Sequence, residues 1–149
     1  MTETIISQFI AAGIGTIAFS VLFFVPRKYY LICGIIGGTG WLICCLCNQY
    51  LCLSIEASTF WAAAFVVICS RIGAFAKKCP VTLFLISGIF PLVPGTGIYQ
   101  TIYHMIMGET DLSSLYARQT IGIAVAIVLG IIFVFEIPQK FLQKKKPEN

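Results

Sequence analysis

The chain divides into five apolar stretches of membrane-spanning length, separated by short polar or charged segments. The stretches cover about 5–25, 30–51, 57–76, 81–107 and 115–137. A helix needs about 20 apolar residues to cross roughly 30 Å of hydrocarbon. The pattern therefore predicts an all-α integral membrane protein with five transmembrane helices. They form one membrane domain, 1–140, followed by a basic tail, 141–149.

The fourth stretch is interrupted near its middle by residues 91–97, which include two prolines and two glycines. A proline lacks the N–H that closes a helical bond, and its ring clashes with the carbonyl four residues earlier. We therefore expect two half-helices, 81–90 and 98–107, that each cross about half of the membrane. Irregular backbone at that depth is tolerated where it is covered by protein or lines a cavity.

The start of the second half-helix has the features of an anion site. After Pro94, the N–H groups of Gly95, Thr96 and Gly97 have no helical partners one turn back, and the positive end of the helix dipole lies there. Broken helices in transporters use such ends to bind carboxylates. The carbonyls that end the first half-helix could accept from an ammonium group. A zwitterion or a carboxylate would suit this pair of helix ends.

A polar face continues along the second half-helix. Thr96, then Tyr99 or Gln100, then Tyr103 recur with helical spacing and share one face. Such a face within a membrane is expected to meet protein or water. The alternative is that the break at Pro91 and Pro94 is only a kink, with the tyrosines at the membrane interface.

Arg71 lies late in the third stretch, about six residues before Lys77. A cation at membrane depth is costly unless it is paired or faces a cavity. It could equally extend its side chain to the interface. Both interpretations stay open at the level of sequence.

Small residues recur at four-residue steps in two stretches. Gly34 and Gly38 do so in the second stretch, and Gly122, Ala126 and Gly130 in the fifth. This spacing lets two helix backbones approach closely. We expect helix contacts at both places.

Most basic residues fall on one side of the predicted membrane. They are Arg27 and Lys28, Lys77 and Lys78, and the lysines after Pro138, whereas Glu56, Glu109, Asp111 and a single basic residue, Arg118, fall on the other side. By the positive-inside rule, the N-terminus is outside and the C-terminus is cytoplasmic. The net charge of +4 thus belongs to the membrane edges, so no nucleic-acid partner is expected. A chain so strongly biased would need a different polypeptide as an inverted counterpart.

Composition and motifs argue against metal binding and catalysis. Only 11% of the residues are charged, against about 25% in soluble domains. Of the seven cysteines, Cys44 and Cys47 form a C-x-x-C spacing, but no second such pair exists and His104 is the single histidine. A zinc site needs about four such ligands. No H-E-x-x-H or G-x-S-x-G motif is present, so we expect neither an enzyme nor a cofactor.

One block of residues resembles a known transporter family. Ser70 and Arg71 late in the third stretch, Pro80, the sequence of 89–95 and then Tyr99 resemble the small, YjjB-like membrane subunit of the threonine/serine exporter (ThrE) family. The resemblance covers about 5–140. The positions that match are Arg71, Pro91, Pro94, Gly95 and Tyr99.

The resemblance implies export of threonine and serine, or of a dicarboxylate such as succinate, across the cell membrane. It also implies a larger five-span membrane partner of the same family, which we expect to supply the other wall of the site. We expect coupling to protons. The alternative is an accessory subunit that stabilises or localises its partner without transporting. The expected substrate-binding residues are Gly95, Thr96, Gly97, Tyr99, Gln100, Tyr103 and Arg71.

Overall fold

The computed structural model describes residues 2–137, with side chains from Ile5 onward. This part of the chain is helical and contains no strand, which confirms the all-α prediction. The predicted tail, 141–149, lies outside the described residues. The helices are α1 (Thr2–Leu22), α2 (Tyr30–Tyr50), α3 (Ile55–Lys77), α4 (Thr82–Ile89), α5 (Gly95–Ile106) and α6 (Thr110–Glu136), with short 3-10 helices at Arg27–Tyr29 and Phe90–Leu92.

Four or five of the described helical segments are candidates to cross a membrane. Helices α1, α2, α3 and α6 are long and apolar enough to do so individually. The fifth candidate is the pair Thr82–Leu92 and Gly95–Ile106, whose axes are bent by 46° at the break. The broken fourth stretch is thus present, although α5 begins three residues earlier than predicted, at Gly95.

The hydrophobic core lies between α2, α3 and α4, with Ile127 contributed by α6, and small residues bring α1 against α2. Cys33, Ala62 and Val66 are fully buried at its centre. A Cβ atom added to Gly34 would lie 3.3 Å from the Gly13 carbonyl oxygen, and one added to Gly38 would lie 2.7 Å from the Phe9 ring. The small residues Gly34 and Gly38 of α2 therefore form the close helix contact that was predicted, and their partner is α1.

The second series of small residues, on α6, packs this helix against α3. A Cβ atom at Gly122 would meet the Glu56 side chain at 3.2 Å, and one at Gly130 would lie 2.7 Å from the Phe60 carbonyl oxygen. Since Glu56 is near the start of α3 and Phe60 follows it, the two helices run parallel. The twelve residues of α6 before Gly122 thus extend beyond the first turn of α3 by about 18 Å, at 1.5 Å per residue.

Helix α5 packs antiparallel on this extension of α6. A Cβ atom at Gly97, near the start of α5, would meet Thr120 Oγ1, and Ser113 Oγ donates to the Thr101 carbonyl at 2.9 Å. None of the residues of α5 is buried. We refer to α5 and residues 110–121 as the α5–α6 hairpin.

Candidate functional site

The break in the fourth stretch is a tight turn whose conformation follows from its prolines. Val93 is extended (φ −62°, ψ 128°), as expected for a residue that precedes a proline. Pro94 has φ −78° and ψ 59°, close to the values of an inverse γ-turn. The Gly95 N–H consequently donates to the Val93 carbonyl at 2.8 Å. The expectation that Gly95 offers a free amide is therefore wrong.

The next amides form the open start of α5. The Ile98 N–H donates to the Pro94 carbonyl at 3.1 Å and closes the first helical turn. Between them, the N–H groups of Thr96 and Gly97 have no backbone acceptor among the described residues. These two donors, with the positive end of the α5 dipole, are suited to an anionic group.

A cavity of about 510 Å³ lies at the break, within the size range of small-molecule sites. Residues 91–97 form one side of it, while Trp41 and Cys44 contribute from α2 and Thr59 from α3. Its polar lining side chains are Thr59, Thr96, Gln100, Tyr116, Gln119 and Thr120. This chain therefore lines the cavity from α2, α3 and α6 as well as from the break.

Two threonine hydroxyls that line the cavity already donate hydrogen bonds within their own helices. Thr59 Oγ1 donates to the Ile55 carbonyl at 2.7 Å, and Thr120 Oγ1 donates to the Tyr116 carbonyl at 2.7 Å. Their oxygen lone pairs are left to accept hydrogen bonds. The cavity therefore combines amide donors at the start of α5 with hydroxyl acceptors on α3 and α6.

No residue that lines the cavity carries a formally charged side chain. Positive potential at the cavity comes from the N-terminus of α5, equivalent to roughly half an elementary charge. A ligand with a single carboxylate and its own ammonium group matches this arrangement. Two carboxylates would need positive charge that the lining does not provide.

The structure brings together only some of the predicted site residues. Gly95, Thr96, Gly97 and Gln100 line the cavity, with Pro91 and Pro94. Tyr99 and Tyr103 stack on each other with ring centroids 6.0 Å apart and are 64% and 42% exposed. They lie on the surface of α5, outside the set that lines the cavity.

Sequence reasoning missed the contribution of α6. Tyr116, Gln119 and Thr120 have the spacing of one helical face. This spacing is visible in the sequence. The sequence does not show that these residues line the same cavity as Thr59 of α3.

Arg71 lies at the far end of α6 from the cavity and binds carbonyls there. Its side chain is only 7% exposed. Nη1 donates to the Val134 carbonyl at 2.5 Å and to the Ile137 carbonyl at 3.1 Å. The guanidinium also lies 5.3 Å from the centre of the Phe135 ring. The last carbonyls of a helix lack helical partners and carry the negative end of the dipole, so Arg71 anchors the end of α6 to α3.

Replacing Arg71 with methionine is expected to lower the free energy of unfolding by about 3 kcal/mol, because hydrogen bonds to a charged group are lost. Arg71→Lys should retain part of this stability, since an ammonium group also donates to carbonyls. Thermal unfolding in detergent measures the effect. An unfolding temperature of Arg71→Met equal to that of the parent would contradict this anchoring role.

The seven cysteines, all within the described part of the chain, are free thiols. Cys44 faces the cavity, where its Sγ lies 3.8 Å from Thr59 Oγ1. Among the described residues, no group of three or more His, Cys, Asp or Glu side chains could hold a metal ion.

Comparison with protein families gives one match: a family model described as "Threonine/Serine exporter, ThrE" covers residues 8–137. Comparisons with curated proteins and with solved structures give no match. The matched range includes every residue that lines the cavity.

Proposed function

The chain belongs to the threonine/serine exporter family, and we propose that it is a subunit of a secondary transporter that exports threonine, serine or a closely related zwitterion. As a member of this family with several long apolar helices, it is a multi-pass protein of the cell membrane. The family is one of transporters, which supports a transport function for this chain.

The observation that carries the proposal is the uncharged cavity at the start of α5, whose mainly apolar lining includes a few polar groups. The N–H groups of Thr96 and Gly97 would bind the substrate carboxylate, as broken helices do in other transporters. The hydroxyl oxygens of Thr59 and Thr120 would accept from the ammonium group. A hydroxyl group on the substrate would form a hydrogen bond with the carboxamide of Gln100 or of Gln119.

The same cavity favours a zwitterion over a dicarboxylate such as succinate. A zwitterion brings its own positive charge, whereas a dianion must be neutralised by the protein. Burying an uncompensated charge is strongly unfavourable. We therefore propose that the substrate is threonine or serine rather than succinate.

We also propose a heteromeric transporter. The Lys and Arg residues of this chain indicate one fixed orientation, with the N-terminus outside. Alternating access commonly uses two repeats of opposite orientation. A larger five-span member of the family, inserted the other way, would supply the second repeat.

The proposal is tested with proteoliposomes loaded with labelled threonine, containing this chain, a co-expressed five-span family member, or both. We expect rapid efflux only when both are present, driven by an inward proton gradient. Excess serine should compete, and excess succinate should not. If the larger protein alone exports at the full rate, this chain is an accessory subunit.

A further inference from the structure

A partly buried histidine and an exposed carboxylate form a pair at the tip of the α5–α6 hairpin. His104, the single histidine of the chain, lies in the last turn of α5. Its Nδ1 is 2.5 Å from Glu109 Oε2, and the two side chains are 15% and 52% exposed. The Glu109 N–H donates to the His104 carbonyl at 2.9 Å, so the backbone also holds the pair together.

The imidazole is in direct contact with a wall of the cavity. It stacks on the Tyr116 ring, with centroids 5.3 Å apart and planes 6° from parallel. Tyr116 in turn lines the cavity. A change in the charge of His104 would therefore act on the proposed substrate site across a single aromatic ring, that of Tyr116.

The groups that face His104 are few. Tyr103 contacts it edge-on from α5 at 5.4 Å, Glu109 pairs with it from the loop, and Tyr116 stacks on it from α6. Among the described residues, no lysine or arginine pairs with Glu109. In the described part of the chain, the exposed Asp111 forms no ion pair with the imidazole. Glu109 is thus the one charged partner of His104 in this part of the chain.

We propose that His104 and Glu109 form a proton-binding site on the side of the membrane opposite the basic clusters, and that Tyr116 couples this site to the cavity. The proposal rests on the exporter function inferred above. A carboxylate only accepts hydrogen bonds, so Nδ1 carries a hydrogen and Nε2 is the atom that gains or releases the proton. Histidine is the side chain whose charge changes most readily between pH 5 and 8.

Proton binding would weaken substrate binding. The resulting imidazolium pairs with Glu109 and lies within about 6 Å of the Tyr116 ring, the range of a cation–π interaction. The Tyr116 carbonyl accepts from Thr120 Oγ1, whose lone pair is proposed to bind the substrate ammonium. A second cation beside this position repels that group. An inward proton gradient drives export when proton and substrate exclude each other in this way.

The first test uses the full chain in lipid nanodiscs with labelled histidine, whose single imidazole gives one set of NMR signals. At a fixed pH, we expect added threonine to move the imidazole signals toward those of the neutral ring. By reciprocity, the Kd for threonine should rise about fivefold or more between pH 8 and pH 5. His104→Gln should bind threonine with little dependence on pH, whereas a purely structural role of His104 would weaken binding equally at every pH.

Two further variants examine the pair and its coupling. Tyr116→Leu should leave the His104–Glu109 pair in place but remove the ring contact with the cavity wall, so the Kd for threonine should depend less on pH than in the wild type. Asp111→Asn removes a nearby carboxylate that does not face His104 and should keep the pH dependence of the wild type. A pH-dependent Kd that persists in His104→Gln would overturn the proposal.

A readout without substrate separates this proposal from the exporter function. Trp41 lines the cavity, and in a Trp61→Phe background its fluorescence can be quenched by a cation such as Cs⁺. Because a protonated His104 would repel this cation, we expect weaker quenching at pH 5 than at pH 8 in this background, and no dependence on pH when His104→Gln is added. Quenching that ignores pH would contradict the proton site. Absence of threonine binding at every pH would contradict the proposed substrate, whatever the quenching shows.

Discussion

Replacing Gly95 with leucine is expected to abolish threonine export while the chain still folds. Gly95 lines the cavity, and a Cβ atom at this position would have no other atom within 4 Å. A leucine side chain can therefore enter the open space beside the Thr96 and Gly97 amides without displacing the backbone. It would occupy the position proposed for the substrate carboxylate. Efflux from proteoliposomes should fall to background, and the Kd for threonine should rise at least about tenfold, a change of about 1.4 kcal/mol.

The matched control is Gly15→Leu on α1. Gly15 also has open space around an added Cβ atom, but it does not line the cavity. This variant should export at the rate of the wild type, and both variants should keep the thermal unfolding temperature of the parent. If Gly95→Leu exports normally, the break at Pro91 and Pro94 is only a kink.

Replacing Gly130 with leucine is expected to separate α6 from α3. A Cβ atom at Gly130 would lie 2.7 Å from the Phe60 carbonyl oxygen and 3.0 Å from the Ala63 Cβ. Because the nearest atom belongs to the backbone of α3, the contact cannot be relieved by rotating a side chain. Overpacking of this kind costs up to about 3 kcal/mol. Loss of the contact would also displace Tyr116 and Thr120 from the cavity.

Thermal unfolding and limited proteolysis measure this effect. Gly130→Leu should unfold at a lower temperature than the wild type and be cleaved more readily in or near α6. Gly15→Leu again serves as the control, since its added side chain meets no neighbour. An unchanged unfolding temperature in Gly130→Leu would mean that α3 and α6 are not closely packed in the membrane.

Much of the fold follows from local features of the sequence. The apolar stretches predicted the helices to within a few residues, except that α6 begins five residues earlier than expected, at Thr110. That start is polar, so a pattern based on apolar residues could not include it. The glycine stripes correctly identified close contacts, because absence of a side chain has the same consequence whichever helix lies opposite.

The partners of each stripe could not be predicted in the same way. Nothing local to Gly130 indicates that Phe60 lies opposite, because contacts distant in sequence depend on how all helices pack. Arg71 shows the same limit. Its sequence neighbourhood left pairing and extension to the interface equally open, and only the position of the α6 carbonyls decided that it is paired.

The sequence by itself determined the break at residues 91–97, since prolines restrict their own backbone and that of the preceding residue wherever they occur. It also indicated the uncompensated amides of Thr96 and Gly97, which follow from the start of any helix. Only the tertiary structure decided what faces them. Thr59, Tyr116 and Thr120 reach the break because α3 and α6 run parallel with α6 extending farther, and this stagger is set where Gly122 and Gly130 of α6 pack against α3.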